Sequence, residues 1–205
     1  MKKAILLFIF LIFFTTLSAQ IKPLEKVSIL FRDGTVLNGY GKFRAMLPNK
    51  IVYKETKNSR REVYDYRTVK RLIIYSDMGE QFYEYKMPRS LSSTNVIIRL
   101  YEVVQWGKIN LYQYLEKSVS STPIYPFDAG YSETKYDEYF VYFISEDRDS
   151  DFVKFFSYRI PSRRFKKVAK QYFSSCPELL KKINKGDFDQ LEIPDVIAYY
   201  NKKCD

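Results

Sequence analysis

The side chains in this sequence that are in principle the most reactive belong to two cysteines. Cys176 lies in the stretch SSCPELLKK, Cys204 lies near the C-terminal end, and the chain contains no histidine. A cysteine nucleophile needs a neighbouring base or cation that makes its thiolate available, and the usual base is histidine. A zinc site needs four suitable ligands, so carboxylates would have to complete one here. The composition therefore disfavours a cysteine nucleophile and a zinc centre, and it excludes histidine-dependent triads.

The N-terminal segment has the three-part layout of a secretory signal peptide. Two lysines precede an uninterrupted apolar run over residues 4–14, and small polar residues lead from there to Ala19. The run is well short of the roughly 20 apolar residues that a membrane-spanning helix needs. We therefore predict a cleaved signal peptide over residues 1–19 rather than a membrane anchor. No cysteine follows the cleavage site to carry a lipid, so we expect a mature chain from Gln20 that is exported to the periplasm or secreted.

Export changes what the two cysteines are expected to do. An even number of cysteines in an exported chain favours a disulfide, because such compartments oxidise thiols. Cys176 precedes the second helix predicted below and Cys204 follows the third. We predict that they are bonded, which would stabilise the C-terminal region by roughly 3 to 4 kcal/mol in the chain-entropy model. The alternative is two reduced, buried cysteines, which would apply if the protein stayed in a reducing compartment.

Residues 20–160 carry the alternating pattern of β-strands. The 19 tyrosines and 16 phenylalanines favour aromatic-rich strands over disorder. In ILFRDGTVLNGYGKF, Asp33-Gly34 is a strong hairpin turn, while Gly39 and Gly41 fall inside the second strand, where a strand bends or another backbone comes close. We predict a curved antiparallel meander over residues 24–76 with its sharpest bend at Gly39. Further hairpins follow.

Residues 161–205 change to the periodicity of helices. The apolar residues of the first predicted helix recur on one face, with Ser162 as its cap; they are Phe165, Val168, Ala169, Tyr172 and Phe173. A second helix begins at Pro177 and ends at Gly186, and a third begins at Pro194. The predicted fold class is therefore α+β: a β-rich body with a small, curved, barrel-like meander plus hairpins, and a C-terminal segment of about three short helices packed on or beside it.

Two resemblances follow from these motifs. The kinked hairpin and meander resemble the outline of Sm-like and SH3-like barrels, an architectural likeness that covers about a quarter of the chain. The order of signal peptide, ILFRDGTVLNGYGKF, REVYDY, VVQWGKINLY, YFSSCPELLKKI and AYYNKKC is similar to that of uncharacterised exported proteins of Gram-negative bacteria, some of whose longer relatives carry an outer-membrane β-barrel. The matched residues are Gly34, Gly39, Gly107, Leu111, Tyr112, Cys176, Tyr200, Asn201 and Cys204. The resemblance implies location and architecture only; because the chain stops at Asp205, we expect no membrane barrel.

Several acidic side chains raise the question of acid–base catalysis or calcium binding. One group is Glu133, Asp137 and Glu138, and the other, in the segment SEDRDSD, is Glu146, Asp147, Asp149 and Asp151. The second group lacks the glycine and the terminal glutamate of a calcium-binding loop. We predict that it is a solvated hairpin loop. The sequence also has no glycine-rich phosphate-binding loop, so we predict no catalytic residue, no metal site and no cofactor.

The chain is basic, with a formal net charge of +10. Most charge runs are solvated faces, but the first helix concentrates Arg163, Arg164, Lys166 and Lys167, which are our candidate contacts for an anionic surface. Lipopolysaccharide phosphates, anionic lipid headgroups or an acidic partner protein would be suitable ligands. Nucleic acid is not expected, because export removes the protein from cellular RNA.

Three classes of function remain open. The first is a non-enzymatic envelope or secreted protein that binds a partner protein or an anionic envelope component. The second is a carbohydrate-binding module that stacks sugars on exposed aromatic side chains such as Tyr112, Tyr114 and Tyr131. The third is a hydrolase that uses a carboxylate pair which the sequence does not reveal. The absence of histidine and of a recognisable catalytic motif favours the first, non-enzymatic class.

Overall fold

The computed structural model describes residues 24–44, 47–89, 98–123, 132–157, 162–189 and 191–204. The predicted signal peptide and its cleavage site lie outside these ranges, as does Tyr131. Across the described ranges, no helix combines the length and the apolar character needed to cross a lipid bilayer.

The described β-strands form one sheet of ten strands. They are β1 (Glu25–Phe31), β2 (Val36–Arg44), β3 (Leu47–Lys54), β4 (Glu62–Asp65), β5 (Val69–Ser76), β6 (Gly79–Arg89), β7 (Arg99–Gln105), β8 (Asn110–Pro123), β9 (Ser132–Ser145) and β10 (Phe152–Ser157). Their order in the sheet is β10-β9-β8-β7-β6-β5-β1-β2-β3-β4. Neighbours in this order are antiparallel, as expected for a chain of hairpins.

Three helices follow the strands: α1 (Ser162–Tyr172), α2 (Pro177–Lys185) and α3 (Ile193–Lys203). Proline occupies the first turn of α2, where its missing N–H costs nothing. Gly186 ends α2 in the left-handed conformation, with φ 89°, and its N–H donates to the carbonyl of Lys182 at 3.1 Å. The predicted α+β class, with helices at the C-terminal end of a β-rich body, is confirmed.

One pairing closes part of the sheet on itself. Residues 152–154 of β10 pair in parallel with residues 87–89 of β6. Since β6 through β10 are otherwise joined as antiparallel neighbours, these strands form a closed ring of five. Tyr101, Tyr112 and Val153 pack together inside it. The sequence predicted a barrel-like element over residues 24–76, whereas the closed ring lies later in the chain; strands β1 to β5 form a curled sheet beside it.

Strand β6 belongs to both parts of the molecule. Its Tyr83 and Tyr85 point out of the ring and into the core of the curled sheet, where they pack with Val27, Ile29, Ile51, Tyr53, Val69, Leu72, Ile74 and Leu100. Because successive side chains of a strand face opposite ways, Glu84 and Lys86 point into the ring. Both are buried. Strand β6 therefore separates the core of the curled sheet from the interior of the ring of strands and contributes side chains to both.

The helices pack on the outer face of the ring at strands β8 to β10. Leu111, Ile144 and Phe156 of the sheet share a core with residues of the helical segment that include Phe165, Ala169, Phe173, Leu179, Ile183, Val196 and Ile197; Phe173 directly follows α1. The period-3.6 face predicted for α1 is thus the face that it buries. Cys176 and Cys204 form a disulfide in this same core, with their Cα atoms 5.4 Å apart, so the predicted pairing is confirmed.

Gly39 allows β2 and β3 to approach closely. A Cβ atom at this position would lie 2.7 Å from the ring of Tyr53 and would also clash with the carbonyl of Lys54. Its φ does not lie in the left-handed region, so space, and not backbone angle, requires glycine here. The Tyr53 hydroxyl donates to the carbonyl of Asn38 at 3.0 Å, which fixes the ring against this stretch of β2.

We predict that Gly39→Val lowers the free energy of unfolding by about 2 to 3 kcal/mol, because the added methyl groups must displace β3 or the Tyr53 ring. The matched control is Asn38→Val, an exposed position on the same strand, which should change stability by no more than about 0.5 kcal/mol. Chemical denaturation of both variants measures the difference. Equal midpoints for the two variants would contradict the close-approach explanation.

Candidate functional site

The predicted anionic-surface residues lie in α1. Lys166 and Lys167 are exposed, and the side chains of Arg163 and Arg164 lie outside the described part of the chain. The Lys166 ammonium donates to the carbonyl of Asn184 in α2 at 3.1 Å. This contact ties two helices together, so Lys166 has a structural partner as well as an exposed charge.

The acidic segment SEDRDSD forms the exposed hairpin loop that the sequence predicted, between β9 and β10, and it also makes ion pairs. Its acids are exposed, but three of them form ion pairs: Glu146 with Lys154 at 2.9 Å, Asp149 with Lys70 at 3.1 Å and Asp151 with Arg32 at 3.3 Å. Hydrogen bonding to Lys70 lowers the pKa of Asp149. Two of these bridges reach the curled sheet, so the loop docks the ring against it. Among the described residues, no group of three or more metal-ligating side chains occurs.

The tyrosines proposed for sugar stacking are less exposed than that role requires. Tyr112 is fully buried inside the ring, so the expectation that it is exposed was wrong. Tyr114 is half-buried, with the guanidinium of Arg99 4.8 Å from its ring centroid. Tyr112 is buried because β10 closes the ring of strands, so that one face of β8 lines its interior.

A buried ionic network fills one end of the ring. The Glu84 carboxylate, whose side chain is 3% exposed, accepts from Arg71 Nε at 2.8 Å and lies 3.3 Å from the Lys86 ammonium. The Tyr112 hydroxyl donates to Glu84 at 3.3 Å. Burial, together with the nearby Glu84 carboxylate, raises the pKa of Tyr112 above its usual range. Every oxygen of the carboxylate therefore has a partner.

The network continues into the acidic loop. The Lys86 ammonium donates to the carbonyls of Arg148 and Ser150 at 3.0 and 2.6 Å. The Arg148 guanidinium lies 4.1 Å from the ring centroid of Trp106, and that of Arg71 lies 5.4 Å from it. The network has one carboxylate, Glu84, for the two cations Arg71 and Lys86, and both carboxylate oxygens and the Lys86 ammonium have partners. It therefore holds the ring of strands, the loop and the curled sheet together and leaves little hydrogen-bonding capacity for a ligand.

A cleft between the sheet and the helices differs from this network because it has space for a ligand. It has a volume of about 470 Å³. The β7–β8 turn contributes Lys108 and Ile109, and the β9–β10 hairpin contributes Glu146, which follows β9, and Lys154 of β10. The helices contribute Gln171 and Tyr172 of α1 and Tyr200 of α3. Polar side chains and two tyrosine rings dominate this lining. The cleft is our candidate functional site.

The positive charges of the cleft come from two lysines. The Lys154 ammonium pairs with Glu146 at 2.9 Å and lies 6.0 Å from the ring centroid of Tyr172. The Lys108 ammonium donates to the carbonyl of Cys204. That carbonyl is neutral, so this contact does not cancel the charge of Lys108. The cleft can thus offer an ammonium, an amide and two tyrosine rings to a polar, negatively charged molecule.

The amide of Asn201 fixes the helical wall of the cleft to the β7–β8 turn. Its Oδ1 accepts from the Ile109 N–H at 2.9 Å, and its Nδ2 donates to the Ile109 carbonyl at 2.8 Å. Gly107 lies directly against this amide, and a Cβ there would clash with it. The Tyr200 hydroxyl lies 3.1 Å from Ser175 Oγ. The resemblance matched Gly107, Tyr200 and Asn201, and the fold brings them together.

Sequence reasoning did not single out the cleft residues as a set. Periodicity places Tyr172 on the buried face of the first helix, and composition places Glu146 in a solvated loop. Neither pattern indicates which distant residues lie beside these side chains. Lys108 lies in the β7–β8 turn and Lys154 lies in β10, so no local sequence pattern connects them. Only the convergence of the turn, β10 and two helices shows that they share one cavity.

Comparison with known proteins adds no assignment. No protein-family model, no curated protein and no solved structure matches the chain. The chemistry of the cleft has therefore to be argued from its own residues.

We predict that the Cys176–Cys204 bond holds α2 and α3, and with them one wall of the cleft. Replacing both cysteines with serine should lower the free energy of unfolding by about 3 kcal/mol, since the closed loop spans 28 residues. Mass spectrometry of the native protein should give a mass two hydrogens below that of the reduced form. A reducing agent should destabilise the wild type and leave the double serine variant unchanged. Two alkylatable thiols in native protein prepared without a reducing agent would contradict the pairing.

Proposed function

We propose that this protein is an exported, non-enzymatic binding protein for an anionic component of the bacterial cell envelope, and that the cleft binds a compact acidic saccharide unit of that component. The observation that carries the proposal is the convergence of the Lys108 ammonium with Gln171, Tyr172 and Tyr200 in one cavity, in which the charge of Lys154 is paired with Glu146. Ammonium groups attract a carboxylate or phosphate, the amide can bond to hydroxyls, and tyrosine rings offer flat apolar faces.

Export is supported by two features. The first is the signal-peptide layout of residues 1–19, which the exported Gram-negative proteins that this chain resembles also have. The second is the disulfide, because such bonds persist mainly in oxidising compartments. Cleavage after Ala19 removes Lys2 and Lys3 and no acid, so the mature chain has 32 basic against 24 acidic side chains, a net charge of +8. This charge favours association with the anionic surface of an envelope. Lys167 lies one helical turn before Gln171 and extends the positive surface beside the cleft.

A binding role is favoured over hydrolysis by the content of the cleft. Glycoside hydrolysis uses two carboxyl groups on opposite sides of the scissile bond, whereas the described lining contributes one, Glu146. That carboxylate is paired with Lys154. Without histidine in the chain, the common general base is also missing.

The test is titration calorimetry of the mature protein with glucuronate and glucose 6-phosphate, using glucose as the uncharged probe. We expect both acidic sugars to bind more tightly than glucose, and their binding to weaken as salt is added. Lys108→Gln should weaken the acidic sugars by about tenfold. The same change at Lys50, an exposed lysine on β3, is the matched control and should have no effect.

Thermal unfolding of the Lys108 and Lys50 variants verifies that both are folded before their affinities are compared. Binding that does not distinguish glucose from the acidic sugars would contradict the proposed role of charge. Equal affinities of wild type and Lys108→Gln, or no binding of any of the three sugars, would contradict the cleft as the site.

A further inference from the structure

A second aromatic and basic surface lies on the face of the sheet opposite to the one that the helices cover. Lys26 of β1 is paired directly with Tyr40 of β2 on one side and with Tyr75 of β5 on the other. Residues paired across neighbouring strands project from the same face. Val27, which follows Lys26 in the chain, points the other way, into the core of the curled sheet. We call the row Tyr40, Lys26 and Tyr75 the β1 row.

The β1 row borders an open cavity. This cavity has a volume of about 460 Å³, and Val27, Asn38 and Gly39 complete its lining. Lys26 is exposed, and Tyr75 is 40% exposed. The ammonium of Lys57 lies 5.4 Å from the ring centroid of Tyr40 and brings a second positive charge to the same end of the row.

The spacing of the β1 row suits an extended ligand. Neighbouring strands lie about 4.8 Å apart, so the backbones that carry the two tyrosines are about 10 Å apart, with the lysine midway. A compact molecule would contact one ring and the lysine. A flat chain of rings can lie across both tyrosines at once and present a negative group to the ammonium between them.

We propose that the β1 row binds an extended acidic polysaccharide, with sugar rings lying on Tyr40 and Tyr75 and a carboxylate paired with Lys26. This site is independent of the cleft, because the two lie on opposite faces of the sheet and share no residue. The charge of the ligand follows from Lys26, from Lys57 and from Lys54, which is paired with Tyr40; these three exceed the one carboxylate paired with Tyr75, that of Glu80. Its extended form follows from the linear, open row.

The probes are polygalacturonate and its fully methyl-esterified form, which has the same rings without the charge. Binding to the immobilised polymers should be at least about tenfold tighter for the acidic form. Tyr75→Ala should weaken binding of polygalacturonate by about tenfold, while Tyr75→Phe, which keeps the ring, should stay within about twofold of wild type. Lys26→Gln should remove most of the preference for the acidic polymer.

Two results would overturn the proposal. One is equal binding of polygalacturonate by wild type and Tyr75→Ala, with the variant shown by its circular dichroism to be folded. The other is equal affinity of the wild type for the acidic and esterified polymers. Lys108→Gln separates the two sites: it should leave polymer binding at the β1 row unchanged, so a failure of the cleft proposal and a failure of this one give different patterns.

Discussion

The carboxylate of Glu84 is the point on which the two halves of the molecule depend. It lies on β6, the strand shared by the ring and the curled sheet, and it is buried with the ammonium of Lys86 beside it. Removing such charges from water costs several kcal/mol each, and the cost is offset only where partners and hydrogen bonds are complete. Arg71 of β5, Tyr112 of β8 and the carbonyls of the acidic loop complete them. The network therefore requires the ring, the loop and the curled sheet to meet in one arrangement.

The geometry of the candidate cleft depends on this arrangement of the ring of strands, the loop and the curled sheet. Closure of the ring by β10 brings Lys154 to the edge of the cleft, and the docked loop brings Glu146 beside it. The opposite wall comes from the helices, which are held by the disulfide and by the amide of Asn201 on the β7–β8 turn. The binding surface is thus assembled from elements distant in sequence, each fixed by a different kind of bond.

The sequence predicted what depends on local pattern. The change from period two to period 3.6 near residue 161 separates the strands from the helices, and Pro177 and Gly186 bound α2. The even cysteine count and the predicted signal peptide led to the correct disulfide. Gly39 correctly indicated a close approach of strands. The helix boundaries and the close approach depend on residues that are near one another in the sequence, and the disulfide depends on the cysteine count and the N-terminal pattern.

What the sequence missed depends on contacts between distant strands. Alternation in QFYEYKMP predicts that Glu84 and Lys86 share a face, but whether that face meets water or an interior depends on the parallel pairing of β10 with β6, which no local pattern reveals. For the same reason Tyr112 was expected to be exposed, and the ion pairs that the solvated hairpin loop makes with Lys70 and Arg32 were not predicted. The most direct test of this account is the stability of Glu84→Leu alone and combined with Lys86→Met. We expect the single variant to lose about 3 to 5 kcal/mol, because it leaves both Lys86 and Arg71 without their shared carboxylate. The double variant should recover part of that loss, since Arg71 still lacks its carboxylate. A single variant as stable as the wild type, or a double variant no more stable than the single, would contradict the central role of the network.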